Sequence, residues 1–194
     1  MTQPRLIVVA GANGAGKSTL TLRLAQRLGA RFGVLLDADA IARALAPENS
    51  ARAAIPAARM ILAALERGLE GRERLVYETT LSDKRRHLEL LRSAKAAGFT
   101  TWLFYVGLRD VALHLERVQL RAAQGGHDVP DEDVRRRFER SRANFAVAAR
   151  LADRTMVYDN SGKTLEWVAS LESGQVRMMR PAGWWTPLLK ELEH

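Results

Sequence analysis

A glycine-rich loop near the amino terminus constrains the fold of this chain more than any other feature. Residues 11–18 read Gly-Ala-Asn-Gly-Ala-Gly-Lys-Ser. An apolar run, 6–10, precedes this loop and leucines at helical spacing follow it, so the loop joins a predicted strand to a predicted helix. In that context glycines let backbone N–H groups turn around a phosphate, and the helix amino terminus adds partial positive charge. The pattern therefore predicts a nucleoside triphosphate site rather than a flexible turn that binds nothing.

Individual residues of the loop have separate expected tasks. Lys17 is expected to reach the outer phosphates, and the Ser18 hydroxyl is placed to bind Mg²⁺. The other residues expected to hold the nucleotide are Gly11, Ala12, Asn13, Gly14, Ala15, Gly16 and Thr19. The loop does not indicate where the phosphoryl group goes.

Short apolar segments alternate with helical patterns along the rest of the chain. The predicted strands are 6–10, 33–36, 75–77, 101–106 and 155–158, and a short helix is predicted around 165–171. Ser50 is the expected N-cap of a long helix. This order predicts an α/β P-loop fold, with a parallel sheet of about five strands and helices on both faces. Ligands of such sheets bind beyond the carboxyl ends of the strands.

Acidic and hydroxyl side chains follow two of these strands. Asp37 or Asp39 could accept a proton from an acceptor hydroxyl, while one of them could instead cap the next helix. Glu78 ends an apolar strand, where an unpaired carboxylate would be costly to bury, and is expected to hold a metal-bound water or a substrate hydroxyl. Thr79 and Thr80 are weaker candidates for contacting the substrate.

Arginines are concentrated in a helical hairpin predicted near 109–150. Arg117 and Arg121 lie one turn apart on its first helix, and Arg136 and Arg140 lie one turn apart on its second. A lid in this place can close arginines over the phosphates and exclude water. A solvated surface is the alternative for some of them. Between residues 109 and 142 eight arginines face seven acids, so this segment is not predicted to bind nucleic acid despite the net charge of +8 for the chain.

Length and composition fit one domain and a cytoplasmic enzyme. The chain has 194 residues, of which 47% are apolar, and it contains no cysteine. Its first apolar run is too short for a signal peptide or a membrane span. We expect a kinase domain over residues 1–175 and a C-terminal tail, 176–194, that forms a last strand and packs on the same domain.

Several motifs together resemble the zeta toxin family of P-loop kinases, and more narrowly its short, stand-alone bacterial branch. They lie at residues 11–19, 35–42, 78–82, 117–130, 135–144 and 158–161. The Gly-Gly-His-Asp-Val-Pro segment at 125–130, with its flanking arginines, is far more specific than the glycine-rich loop itself. The resemblance implies ATP and Mg²⁺ as cofactors, Asp39 as general base, and Asp37 as the helix cap. It also places the lid arginines at Arg121 and within 135–140, with Arg136 preferred.

The resemblance implies phosphorylation of UDP-N-acetylglucosamine on a sugar hydroxyl. Two positions on the acceptor side depart from the family pattern. Ala40 replaces an acid that often follows the base, and Ser82 stands where larger toxins carry arginine.

Three other functions stay open at this stage. The first is a kinase of the same fold for another small acceptor, such as a sugar, nucleoside or antibiotic. The second is a nucleotide switch whose basic surface binds nucleic acid or a protein. The third is a toxin held inactive by an antitoxin.

Overall fold

The computed structural model describes residues 3–48, 50–124 and 129–192. The predicted hinge at Gly125, Gly126, His127 and Asp128 lies outside the described residues. The strands are β1 (Arg5–Ala10), β2 (Val34–Asp37), β3 (Leu75–Thr79), β4 (Thr100–Gly107), β5 (Arg154–Asp159), β6 (Glu166–Glu172) and β7 (Gln175–Met179). The helices are α1 (Lys17–Leu28), α2 (Ala38–Leu45), α3 (Ala54–Glu70), α4 (Lys84–Ala96), α5 (Val111–Ala123), α6 (Asp131–Leu151) and α7 (Trp185–Lys190).

The sheet is mostly parallel, as the alternation of elements predicts. Its strand order is β2-β3-β1-β4-β5-β6-β7. The first five strands pair in parallel, and β6 and β7 add an antiparallel extension at one edge. All five strands predicted from the sequence are therefore present, and they form the parallel part of the sheet.

Two local predictions are wrong. Residues 165–171 were expected to form a helix, but β6 occupies this segment because Thr155 and Leu171, as well as Met156 and Ser170, pair in an antiparallel ladder. Ser50 does not cap the long helix. It begins a short 3-10 turn, Ser50–Ala53, and α3 starts only afterwards.

Alternate residues of β1 supply the cores on the two faces of the sheet. Leu6 and Val8 face a large cluster that includes residues of α3, α4 and α6, among them the fully buried Phe145. Ile7 and Val9 face a smaller cluster covered by Leu20 and Leu24 of α1. Burial on both faces explains why these strands are continuous apolar runs.

The C-terminal segment packs against the larger cluster. Trp185, Leu188 and Leu189 of α7 are buried there. Within the described ranges, no helix combines the length and the apolar character needed to cross a membrane.

Candidate active site

The glycine-rich loop adopts a conformation that requires its glycines. Gly11 and Gly16 have φ values of 146° and 99°, in the region that side chains disfavour. A Cβ atom on Gly11 would lie 2.1 Å from the Val106 carbonyl oxygen, and one on Gly16 would lie 2.2 Å from Nδ2 of Asn160. The loop is thus pressed against the carboxyl end of β4 and the segment after β5.

Asn160, which follows β5, ties the loop to the lid. Its Nδ2 donates to the Ala15 carbonyl oxygen at 2.8 Å, and its own carbonyl oxygen accepts from Nη2 of Arg117 at 2.7 Å. The motif at 158–161 was noted in the sequence, but Asn160 was not among the predicted site residues. Its contact partners are distant in the chain, so local sequence patterns carry no sign of them.

Lys17 lies at the start of α1, partly buried. Its Nζ donates to the Ala12 carbonyl oxygen at 3.3 Å. Burial lowers the pKa of Lys17, and the carboxylates of Glu78, Asp39 and Asp37 oppose this shift. The ammonium group is therefore surrounded by the acids that the sequence singled out.

Both oxygens of the Glu78 carboxylate accept hydrogen bonds from α1. Ser18 Oγ donates to Oε1 and Thr21 Oγ1 donates to Oε2, each at 2.8 Å. These residues fit a P-loop magnesium site, where one hydroxyl, a nearby carboxylate, water and phosphate oxygens supply the ligands. In the described part of the chain no cluster of three His, Asp or Glu residues could hold a metal ion alone, and a P-loop site needs none.

Asp37 and Asp39 have different environments, as the resemblance implied. Asp37 is the N-cap of α2, and its Oδ1 accepts from the backbone N–H groups of Asp39 and Ala40 at 2.9 and 3.2 Å. Asp39 lies in the first turn of α2, where its side chain lines the cavities described next.

Two cavities adjoin at this edge of the sheet. The nucleotide-side cavity, of about 230 Å³, is lined by the glycine-rich loop and by Arg117 and Arg121 of α5. The acceptor-side cavity, of about 260 Å³, lies between α3, α4 and the end of β3. Four residues line both cavities: Lys17, Asp37, Asp39 and Glu78.

The two threonines at the end of β3, Thr79 and Thr80, line the acceptor-side cavity. Thr79 Oγ1 lies 2.6 Å from Nε2 of His87, whose Nδ1 is hydrogen-bonded to the Asp83 carbonyl oxygen. Because a carbonyl only accepts, Nδ1 carries the proton, Nε2 is unprotonated and the Thr79 hydroxyl donates to it. Burial lowers the pKa of His87, which favours this neutral form. Thr80 bonds to Ser82 at 2.8 Å.

On α6 the structure places Arg137, rather than the preferred Arg136, beside the acceptor-side cavity. Arg137 lines the acceptor-side cavity, and its Nη1 donates to Oδ1 of Asn13 at 3.2 Å. Arg136 pairs with Asp133 at 2.7 Å and is half exposed, and Arg140 is also exposed. Neither Arg136 nor Arg140 lines either of these two cavities, because the helix turns them away from the site.

His114 on α5 is a further residue that the sequence analysis missed. Its buried Nδ1 donates to the Asn13 carbonyl oxygen at 2.6 Å, so both α5 and α6 hold this one loop residue. Burial lowers the pKa of His114 to about 4, with a smaller contribution from the positive charge of Lys17. One signal was available, since His114 lies one turn before the inward-facing Val118 on an apolar helix face.

The fold and this loop together define the chain as an α/β protein of the P-loop kinase type. The loop follows the first strand of a mostly parallel sheet, and Lys17 and Ser18 begin the helix after it. The family model of the zeta toxins matches residues 1–172, and the chain belongs to the zeta toxin family.

Similar proteins agree with this family. An uncharacterised protein from Haemophilus influenzae is 30% identical over 136 residues, which cover 70% of this chain and 94% of that protein. The structure resembles an AvrRxo1-ORF1:-ORF2 complex solved with ATP, with a TM-score of 0.74 at 18% identity. That match covers 91% of this chain but only 60% of the other chain, which is longer.

The chain also resembles a structure from the PezAT chromosomal toxin–antitoxin system of Streptococcus pneumoniae. Here the TM-score is 0.61 at 16% identity, with 82% of this chain and 69% of the other covered. At such identities the two structural matches establish the fold.

Proposed function

We propose that this chain is an ATP- and Mg²⁺-dependent kinase that transfers the γ-phosphoryl group to a hydroxyl of a small molecule. One observation carries the proposal: a cavity beside the glycine-rich loop and a second cavity beside α3 and α4 share Lys17, Asp39 and Glu78. A triphosphate in the first cavity would point its end towards an acceptor in the second. In-line transfer needs this arrangement of donor and acceptor.

In the proposed reaction Asp39 acts as the general base. Its carboxylate accepts the proton of the acceptor hydroxyl while that oxygen attacks the γ-phosphorus. The bond from the γ-phosphorus to the bridging oxygen breaks, and ADP leaves with the electron pair. Lys17 and the guanidinium groups of Arg121 and Arg137 stabilise the charge on the transferring group. Arg117 is proposed to contact the nucleotide from α5.

Ser18 and Glu78 are the proposed metal-binding residues. When bound, Mg²⁺ neutralises charge on the β- and γ-phosphate oxygens. The Ser18 hydroxyl donates its hydrogen bond to Glu78, so the lone pairs of the Ser18 oxygen stay available to bind a cation. Thr79 and Thr80 are proposed to contact the acceptor, since both line its cavity.

UDP-N-acetylglucosamine is the first acceptor to test, because the family resemblance implies it. The acceptor-side cavity has Arg86 and Arg137 in its walls, which suits an acceptor that carries negative charge. Another small acceptor that carries a phosphate group would be equally suited to the positive charges that line this cavity. Incubation with ATP, Mg²⁺ and UDP-N-acetylglucosamine, followed by ³¹P NMR, should give a phosphorylated sugar nucleotide that Asp39→Asn does not form. If UDP-N-acetylglucosamine stays unchanged while a different metabolite is phosphorylated, the chain is a kinase for that other acceptor.

We also propose that the kinase acts in the cytoplasm, where ATP is available, and that an antitoxin protein restrains it. The PezAT structure is described as part of a toxin–antitoxin system, and this supports the proposal for a chain of the same family. Expression of the chain alone should arrest growth, and Lys17→Ala should abolish the arrest. Normal growth with an active kinase would contradict the toxin role.

A further inference from the structure

A row of arginines crosses the end of the sheet opposite the glycine-rich loop. Leu6 pairs with Leu75, so the residues before them, Arg5 on β1 and Arg74 just before β3, are neighbours. Trp102 on β4 pairs with Arg154 on β5. Because side chains alternate along a strand, these four residues share the face that α1 covers. We call Arg5, Arg74, Trp102 and Arg154 the amino-end row.

Two guanidinium groups lie over the indole ring of Trp102. The Arg5 guanidinium carbon is 4.0 Å from the ring centroid, and that of Arg154 is 5.6 Å from it. Attraction to the aromatic ring can explain why one arginine lies there. The positive charges of Arg5 and Arg154 still repel each other. Arg31, at the end of the turn after α1, adds to the positive charge near Arg5.

Little negative charge balances this row. Within the described residues, no carboxylate forms an ion pair with Arg5, Arg31 or Arg74, and Glu172 pairs with Arg154 at 3.9 Å. Glu172 is shared with Arg177, which lies 3.5 Å away. Burial and the charges of Arg74, Arg154 and Arg31 lower the pKa of Arg5, so the potential at this side chain is positive. Like charges on adjacent strands destabilise a sheet, and the fold alone gives no reason to keep them.

Two buried donors in the row also lack a partner. Nε of Arg5 and Nε1 of Trp102 are both inaccessible to solvent and make no hydrogen bond to the described residues. Buried donors of this kind are uncommon in folded proteins and call for an explanation. Because solvent does not reach these two atoms, a ligand from outside the chain would contact other nitrogens of the row, such as those of the half-exposed Arg154.

We propose that the amino-end row is a second anion site, which binds a short linear chain of phosphate groups. Guanidinium groups pair with phosphate oxygens through two parallel hydrogen bonds, and a linear oligophosphate presents several charges in succession to the row. The row crosses four adjacent strands, or about 15 Å at the usual strand spacing. Arg5 and Arg154 both lie over the Trp102 ring, so the ring is engaged by arginine and the site favours phosphate over a stacked nucleobase.

This second site is separate from the proposed nucleotide site. Arg5 opens β1, whereas the glycine-rich loop begins after Ala10, at the other end of the strand. Five steps along an extended strand correspond to roughly 17 Å. Binding at the row is therefore expected to survive a substitution in the loop.

Tripolyphosphate is the probe that tests the site. It is titrated into the full-length Lys17→Ala variant, in which binding at the glycine-rich loop is weakened, and tryptophan fluorescence is recorded. We expect saturable binding that weakens steeply with salt and a signal that disappears when Trp102→Phe is added. ATP tested in parallel shows whether the phosphates suffice, since equal affinity for both ligands supports recognition of phosphate alone. If Arg154→Gln leaves the ATP affinity unchanged, ATP does not bind at the row, and recognition of phosphate alone is contradicted.

Variants that each remove one positive charge test whether the amino-end row is where tripolyphosphate binds. Arg5→Gln and Arg154→Gln, each added to Lys17→Ala, should weaken tripolyphosphate binding about tenfold or more, the effect of losing one charge-assisted contact. Arg85→Gln, on the exposed side of α4, removes the same charge and should leave the affinity within about twofold. If Arg5→Gln does not fold, Arg154→Gln decides, because its side chain is half exposed. Equal affinities for all three variants, or no binding by the parent, would overturn the proposal.

Discussion

Ser18 and Glu78 are joined by a hydrogen bond of 2.8 Å between the first turn of α1 and the end of β3. The same carboxylate is held from its other oxygen by Thr21, one turn further along α1. Thr21 is buried and cannot contact a ligand directly. It acts on the proposed metal site through Glu78, as residues behind a metal ligand commonly do.

The first prediction concerns Thr21. Thr21→Val removes the hydroxyl that fixes Glu78 and should weaken Mn²⁺ binding in the presence of ATP about tenfold or more, measured by electron paramagnetic resonance. Thr21→Ser keeps the hydroxyl and should restore most of the affinity. An affinity that Thr21→Val leaves unchanged would show that this hydrogen bond does not support the site.

The second prediction separates two adjacent arginines. Arg137→Ala should lower the rate of phosphoryl transfer about 100-fold, because it removes a cation from the acceptor-side cavity. Arg136→Ala removes the same charge from the outer face of α6, where it pairs with Asp133, and should change the rate by less than about threefold. The measurement is the steady-state rate with saturating ATP. A larger loss of rate with Arg136→Ala than with Arg137→Ala would show that Arg136 is the arginine that acts in the reaction.

The third prediction is the pH dependence of stability due to His114. Its pKa is about 4 in the folded chain and about 6.5 when unfolded, so the unfolded chain binds more protons between these values. Stability should be full above pH 6.5 and should fall as the pH drops towards 4, by on the order of 3 kcal/mol from this one residue.

Urea unfolding of the wild type and of His114→Gln at pH 8 and pH 5 checks this expectation. Glutamine can still donate to the Asn13 carbonyl oxygen but does not titrate. The loss of stability between the two pH values should therefore be smaller in the variant. His87 remains in both proteins, so its own contribution cancels in the comparison. An identical loss in both proteins would show that His114 is not the group responsible.

The fourth prediction concerns the contact between Asn160 and the glycine-rich loop. Asn160→Ala removes the donor to the Ala15 carbonyl oxygen and should weaken ATP binding about tenfold, since the loop loses a hydrogen bond that fixes its shape. Calorimetric titration with ATP measures the effect. As a control, Ser93→Ala on the exposed side of α4 should leave the affinity unchanged.

The parts of the site that the sequence could predict are those set by local spacing. The loop of residues 11–18, Asp37 as a cap and Glu78 at a strand end follow from strand alternation and from the rule that ligands bind beyond the carboxyl ends. The structure brings these residues together around the two cavities. The contacts of Asn160 and His114 with the loop join segments more than 100 residues apart, so local spacing can indicate that His114 faces inward but not which residue it contacts.

Two differences between the expectations from the sequence and the structure have identifiable physical causes. A helix with many arginines does not reveal which of them faces inward, and packing of Val134 and Phe145 sets the rotation that selects Arg137 over Arg136. Residues 165–171 were predicted to be helical, but pairing with β5 makes them a strand. Tertiary pairing overrides weak local preference in short segments of this kind.

The most direct test of the proposed kinase is a comparison of the wild type with Asp39→Asn in one assay. Each protein is incubated with ATP, Mg²⁺ and a bacterial metabolite extract supplemented with UDP-N-acetylglucosamine, and mass spectrometry identifies metabolites that gain a phosphoryl group. ATP binding is measured on the same preparations. We predict that the wild type phosphorylates an acceptor and that Asp39→Asn binds ATP with similar affinity but forms no product. Equal product from both proteins, or no phosphorylated metabolite with the wild type, would contradict the account.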